Sequence, residues 1–233
     1  MSKITQQDFI NFFKYYKDEP HQLSAIRQLY SELSDELKSD TADWIVTYRT
    51  PLKPITANPL DVPFQSQNDN ISGTGYRECF SSSCAMVAMY YGKIENDDAY
   101  NLVRQKYGDS TDAQAQVRAL RSLGLEANFV TNARTEDLKA SIDANRPIPC
   151  GWLHKGSVNC PSGNGHYSVV IGYNDSGWIQ NDPNGEALLV PGGYTNNLNG
   201  DHVHYSYKNW NPRWIVEGEG SGWMMDIRDP AKK

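Results

Sequence analysis

Glu78-Cys79-Phe80-Ser81-Ser82-Ser83-Cys84-Ala85-Met86-Val87-Ala88-Met89-Tyr90-Tyr91-Gly92 is a run of small and apolar residues closed by a glycine, and it reads as a buried helix with a thiol in its first turn. A helix N-terminus carries partial positive charge and unpaired backbone N–H groups, which favour the thiolate form of a cysteine placed there. The thiolate is the form that attacks carbonyl carbon. A free cysteine taken alone is more often a packing residue, and that reading is given to Cys84, which faces another side of the helix among Ala85, Ala88 and Met89.

A cysteine nucleophile needs a base to take its proton, and the base needs a third group to fix its tautomer. Gly165-His166-Tyr167-Ser168-Val169-Val170-Ile171-Gly172-Tyr173 reads as a strand opened by His166 after the flexible run Ser162-Gly163-Asn164-Gly165. His154, His202 and His204 are the competing histidines, but His202 and His204 fall in a predicted loop, and His21 belongs to the N-terminal region. After the turn Asn174-Asp175-Ser176-Gly177, the strand Trp178-Ile179-Gln180-Asn181-Asp182-Pro183 supplies Asp182 as orienting acid, with Asn181 as the alternative. Register decides whether Asp182 reaches His166. A two-residue turn at Asp175 and Ser176 would put the two on opposite faces, whereas a three-residue turn centred on Asn174 would set them opposite each other, and the residues also permit a bulge. For the oxyanion, Gln67 in Val62-Pro63-Phe64-Gln65-Ser66-Gln67 is the candidate side-chain donor and Gln65 the runner-up.

These segments, from Val62 to Gly92 with the Gly-His-Tyr strand and Asn181-Asp182-Pro183, resemble the bacteriocin-leader-peptidase-like cysteine peptidases of the papain superfamily. The resemblance implies a helical lobe carrying the nucleophile, an antiparallel sheet carrying His and Asp, and peptide-bond hydrolysis, with Cys79 as nucleophile, His166 as base, Asp182 as orienting acid and Gln67 as oxyanion-hole glutamine. Many relatives carry Gly-Pro where this chain has Phe80-Ser81. The segment with Phe12-Phe13-Lys14-Tyr15-Tyr16, Pro20, Ala25-Ile26 and Leu29 is similar to helical regions ahead of the catalytic domains of some phage lysins, as is the loop from Cys150 to Gly165. That likeness implies a phage endolysin acting on bacterial peptidoglycan cross-links, moving from the host cytoplasm to the periplasm or cell wall. A non-catalytic peptide- or glycan-binding module and a transglutaminase-like acyltransferase are the alternatives.

The 233 residues carry a net charge of −6, and no Lys/Arg cluster tracks a phosphate backbone, which argues against nucleic acid as partner. The first residues lack an apolar signal core and no apolar run approaches a membrane span, so synthesis in the cytoplasm without membrane insertion is expected. Four cysteines are too few for a disulfide scaffold, and their spacings match no common zinc pattern, so neither metal nor cofactor is expected. Cys150 and Cys160 flank a predicted loop, where their pairing is left open. Oligomeric state is not legible.

Along the chain, residues 1–49 form an expected N-terminal helical segment broken near Pro20 and Asp40, residues 50–59 a proline-rich linker, and residues 60–233 the main domain. Within it helices are expected at 79–91, 96–107, 111–123 and 136–144, the third started by Thr111 or Asp112 and stopped by Gly124. Strands are expected at 125–130, 148–153, 166–173, 178–181, 186–190 and 223–227. Residues 191–200 read as loop. Helices followed by a mostly antiparallel sheet make an α+β class.

Overall fold

The computed structural model describes residues 6–16, 29, 30, 33 and 59–232, and the chain divides into two compact units, Met1–Thr56 and Ala57–Lys233. In the first unit, helix α1 (Gln6–Tyr16) buries Phe9, whose ring lies 6.1 Å from that of Phe13 and 5.7 Å from that of Tyr30. This is the apolar face that the aromatic spacing predicts. The expected breaks at Pro20 and Asp40, and the linker apart from Pro59, lie outside the described residues.

The second unit opens with irregular chain and single turns at Gln67–Asp69 and Gly75–Arg77, followed by α2 (Cys79–Tyr90), α3 (Asp97–Arg104) and α4 (Ala113–Ser122). Helix α2 is buried on every side from Phe80 to Ala88, as a helix of small and apolar residues can be, with Ser81 and Ser82 hydrogen-bonded to Gln116 and Asp97. Its end is set by Gly92 at φ 69°: the Gly92 N–H donates to Met89 O (2.8 Å) and the Lys93 N–H to Ala88 O (2.9 Å), the paired bonds of a left-handed glycine stop. Asn96 caps α3 through Ala99 N (2.8 Å) and Asp112 caps α4 through Gln114 N (2.8 Å). Both helices are therefore shorter than the stretches expected, because the polar residues ahead of them serve as caps and turns.

Strand β1 (Glu126–Ala133), helix α5 (Thr135–Asp143), strands β2 (Ile148–Trp152), β3 (His166–Tyr173), β4 (Gly177–Asn181) and β5 (Val203–Ser206), helix α6 (Tyr207–Trp214) and strand β6 (Gly222–Arg228) follow. The six strands form one sheet in the order β1-β6-β2-β3-β4-β5, with every neighbouring pair antiparallel. One face packs on α2, α3 and α4 through Phe80, Met86, Val169, Ile171 and Met225. The other carries a second core built on Trp152, Trp178, Trp210 and Trp214, with α5 and α6 above it. The fold is the α+β, papain-like arrangement that the sequence leads one to expect, with the nucleophile helix against an antiparallel sheet.

Three expectations are corrected. Residues 186–190 are not a strand: Ala187 makes only an isolated bridge to Tyr194, and the Leu188 N–H donates to Gly193 O (2.8 Å), because Pro191-Gly192-Gly193 turns the chain back on itself. His204 is not in a loop but in β5, where it is buried. Helix α6 was not foreseen; its sequence, Tyr-Lys-Asn-Trp-Asn-Pro-Arg-Trp, has low helical preference, and the burial of Trp210 and Trp214 together with the Ser206 cap on Asn209 N (3.3 Å) holds it.

Candidate active site

Cys79 is the first residue of α2 and is partly exposed, so its backbone N–H belongs to the first turn, which has no intrahelical acceptor. The residue before it, Glu78, is 2% exposed. Its carboxylate accepts from Asn70 Nδ2 (2.7 Å), Ser72 Oγ (2.8 Å), Asn101 Nδ2 (3.3 Å) and Thr74 Oγ1 (2.8 Å), with Arg104 at 3.9 Å. A buried charge with this many donors is satisfied, and it ties the chain leading into Cys79 to α3. On the other side of the thiol, the Phe80 ring lies 3.7 Å above Tyr167 at an interplanar angle of 6°. Gly151 makes room for this stack, since a Cβ there would come within 2.7 Å of the Tyr167 ring. Phe80 thus has its own packing partner on the sheet.

His166 opens β3 and is 4% exposed. Its Nε2 lies 2.7 Å from Asp182 Oδ1, and Cys79 is near enough to the imidazole to help hold its proton. The register that allows this is a compromise. The turn is the two-residue form, with the Asn174 N–H donating to Gly177 O (2.9 Å), and Tyr173 pairs with Trp178 and Gly172 with Ile179. A bulge then takes up one residue of β3, so that Val170 pairs with Gln180 and Val169 with Asn181. The one-residue offset exchanges the faces and brings Asp182 onto the side of His166, diagonal to it rather than directly opposite. Asn181 consequently points to the other face, donating to Val62 O (2.9 Å) and accepting from His202 N (3.0 Å).

Asp182 is fully buried and its oxygens are filled by donors. Oδ1 also accepts from Asn184 N (3.0 Å); Oδ2 accepts from the Tyr194 hydroxyl (3.0 Å) and the Tyr205 hydroxyl (2.9 Å). Burial alone would push the His166 pKa down, but the Asp182 carboxylate with its hydrogen bond and the neighbouring Cys79 outweigh it and hold it up at about 10. The imidazolium is the resting form. Trp152 and Tyr194 stand edge-on to the ring at 5.4 and 5.5 Å. The Trp152 Nε1–H donates to Ser168 Oγ (2.9 Å), which donates to Gln180 Oε1 (2.6 Å), so the indole against His166 is itself fixed. Tyr194 and Tyr205 were not singled out from the sequence; neither lies in a periodic pattern that would mark it.

Gln67 is 3% exposed and its Nε2 donates to Gly75 O (2.8 Å), while its N–H donates to Pro183 O (2.9 Å). A carbonyl oxygen at Gly75 accepts only from nitrogen, which fixes the amide orientation and leaves the second Nε2 hydrogen for another acceptor. The residue therefore links the turn before Cys79 to the turn after Asp182. Asn68 strengthens that link through Asn184 Oδ1 (3.3 Å) and Asn197 Nδ2 (3.1 Å). Gln65 is engaged elsewhere, donating to Phe64 O (2.7 Å) and accepting from Asp97 N (3.3 Å).

All four thiols are free. Cys84 is buried in the core beside Tyr100, and burial pushes its thiol well up. Cys150 lies inside β2, fully buried, whereas Cys160 is exposed, so the two do not pair. Among the described residues no group of three or more His, Cys, Asp or Glu is placed to hold a metal ion. A cysteine sulfur, an imidazole, a buried carboxylate and an amide donor in this arrangement can carry out acyl transfer without a cofactor.

The sequence profile described as the Peptidase_C39 like family matches residues 59–191. No curated protein sequence matches the chain. Among solved structures, a C39-like peptidase from Bacillus anthracis is 16% identical, with 72% of this chain and 95% of that chain covered at a TM-score of 0.50. A double glycine motif protease from an AMS/PCAT transporter, solved with its leader peptide, is 20% identical over 73% of this chain and 93% of that chain, TM-score 0.46. The peptidase domain of Streptococcus ComA, a bifunctional ABC transporter of a quorum-sensing pathway, is 19% identical over 66% and 92% respectively, TM-score 0.45.

Proposed function

The chain belongs to the Peptidase_C39 like family and is a cysteine peptidase, and from that premise we propose that Cys79, His166 and Asp182 are its catalytic triad and that it cleaves peptide bonds of bacterial peptidoglycan as a phage endolysin. The observation that carries the triad is the buried His166 imidazole held by Asp182 at 2.7 Å, with Cys79 near enough to bear on its charge. What supports the wall substrate is the likeness of the N-terminal segment and of the Cys150–Gly165 loop to phage lysins.

In this mechanism the proton of the thiol resides on His166 and the Cys79 sulfur attacks the carbonyl carbon of the substrate. The negative oxygen that forms is held by the Cys79 N–H and by the second Nε2 hydrogen of Gln67. As the tetrahedral adduct collapses, the carbon–nitrogen bond breaks and His166 gives its proton to the departing amine. Neutral His166 then takes a proton from water, the hydroxide attacks the thioester, the imidazolium returns and the carboxylic acid leaves. Asp182 stays hydrogen-bonded to the ring throughout, and its two tyrosine donors keep it aimed at Nε2.

Purified peptidoglycan is digested with wild type and with Cys79→Ala, and the soluble fragments are read by mass spectrometry. New amino termini from wild type alone are expected. Release by both proteins would remove Cys79 from the mechanism, and release by neither, with cleavage of an unrelated peptide library by wild type, would overturn the wall substrate while leaving the triad standing.

A further inference from the structure

The mechanism leaves one imidazole of the site idle. The ring of His154 lies 5.7 Å from that of His166 and 6.1 Å from that of Tyr194, and it is only half buried. Its Nδ1 is wholly buried with no hydrogen-bond partner. A neutral ring places its single proton where it can be satisfied, and a buried N–H without an acceptor costs more than a buried lone pair. The proton therefore sits on Nε2, the ring nitrogen that is not enclosed without a partner.

The backbone that carries this donor is held on both sides. The His154 carbonyl accepts from Gly193 N (2.6 Å), and the fully buried Arg213 donates to Leu153 O (2.9 Å), Lys155 O (3.1 Å) and Gly156 O (2.8 Å). The donor is thus pre-organised rather than carried on a loose loop. Burial, then the neighbouring charges of His166 and Lys155, push the His154 pKa down to about 4, with Asp182 opposing and Arg213 adding to the shift. His154 stays neutral under the conditions where His166 is charged, and two imidazoles sit side by side without repulsion.

Its place in the fold says which part of a substrate it meets. The proposed oxyanion donors lie at the first residue of α2, Cys79, and at Gln67 on the chain ahead of it. His154 follows β2, just beyond the pairing of Trp152 with His166, and so comes to the site from the sheet beside the base, the group that hands a proton to the departing amine. We infer that His154 is a substrate-binding residue whose Nε2–H donates a hydrogen bond to a backbone carbonyl on the leaving-group side of the cut bond. This rests on the peptidase reading above, and it means that the enzyme prefers a substrate that continues as peptide beyond the cut.

The test compares two probes. One is a synthetic peptide spanning the bond found in the digest, with two residues after it; the other is the same peptide ended at that bond as a p-nitroanilide, which has no carbonyl to accept from His154. His154→Phe keeps the ring against His166 and removes the donor, and His154→Gln restores an N–H. For the peptide, kcat/KM is expected to fall about tenfold or more in His154→Phe and to recover largely in His154→Gln. On the nitroanilide, and in the rate of Cys79 alkylation by iodoacetamide, both variants should match wild type. An equal loss on both probes, or no loss on the peptide, would overturn the inference while leaving wild-type cleavage, and so the peptidase reading, intact. Failure of wild type on both probes would overturn that reading and this inference with it.

Discussion

His166 and Asp182 set how the site responds to pH. The ordinary value for histidine is 6.5, and His166 is held at about 10, so the folded state binds this proton more tightly than the unfolded chain does. The stabilisation from the charged pair is therefore complete below about 6.5 and is lost as pH rises through about 10. In urea unfolding, wild type is expected to lose more stability between pH 7 and 10.5 than His166→Phe does; equal losses would show that the pair contributes nothing to folding. Activity follows the same group. The alkaline limb of kcat/KM should lie near pH 10 and move down in Asp182→Asn, with kcat reduced by about 10²–10⁴-fold, and a limb that stays in place would mean that another group titrates. At the nucleophile, Cys79→Ala should fold with wild-type thermal stability and turn over no substrate, whereas Cys84→Ala, in the core, should keep most of the activity and lose stability. The reverse pattern would exchange the roles of the two thiols.

The elements show where local sequence was sufficient and where it was not. Helix α2 is written in its own residues: an apolar run, a polar lead-in and a glycine stop. Gly92 sits at φ 69° with nothing within 4 Å of where a Cβ would be, so Gly92→Ala introduces backbone strain without a clash. A loss of about 1 kcal/mol in urea denaturation is expected, with unchanged iodoacetamide reactivity at Cys79, because the change lies at the far end of the helix. The strand carrying His166 was equally legible from its apolar residues. Its alignment with Asp182 was not. That depends on a bulge between Val170 and Gly172, and bulges leave no periodic trace that separates them from a straight strand. Helix α6 and the Ala187–Tyr194 bridge were hidden for a related reason. Both are held by contacts made only after folding, α6 by the indoles of Trp210 and Trp214 and the bridge by a glycine-rich turn, so local propensity says little about either. Tyr194 reaches Asp182 from that bridge and Tyr205 from the short strand β5, neither of which was foreseen, and thus the residues that hold the acid were invisible while the acid itself was not.

At the scale of the molecule, the site is assembled where three stretches of chain meet: the turns ahead of α2, the start of β3, and the irregular chain from Asp182 to Gly200. Hydrogen bonds join them directly, as in Gln67 N–H to Pro183 O at 2.9 Å and His166 Nε2 to Asp182 Oδ1 at 2.7 Å. Every member of the site, and both cores that support it, fall within the unit Ala57–Lys233. That unit has the size and the two-sided sheet packing of a domain that folds alone. A protein beginning at Ala57 is therefore expected to unfold in a single cooperative urea transition and to have its Cys79 alkylated by iodoacetamide at the rate of the full chain. The buried thiols provide an internal control. In the native truncated protein Cys79 and Cys160 should react, while Cys84 and Cys150, both fully buried, should become reactive only through the unfolding transition. Early labelling of Cys84 or Cys150 would show that the sheet and α2 do not close without the first 56 residues, and the triad would then depend on a part of the chain that contributes no side chain to it.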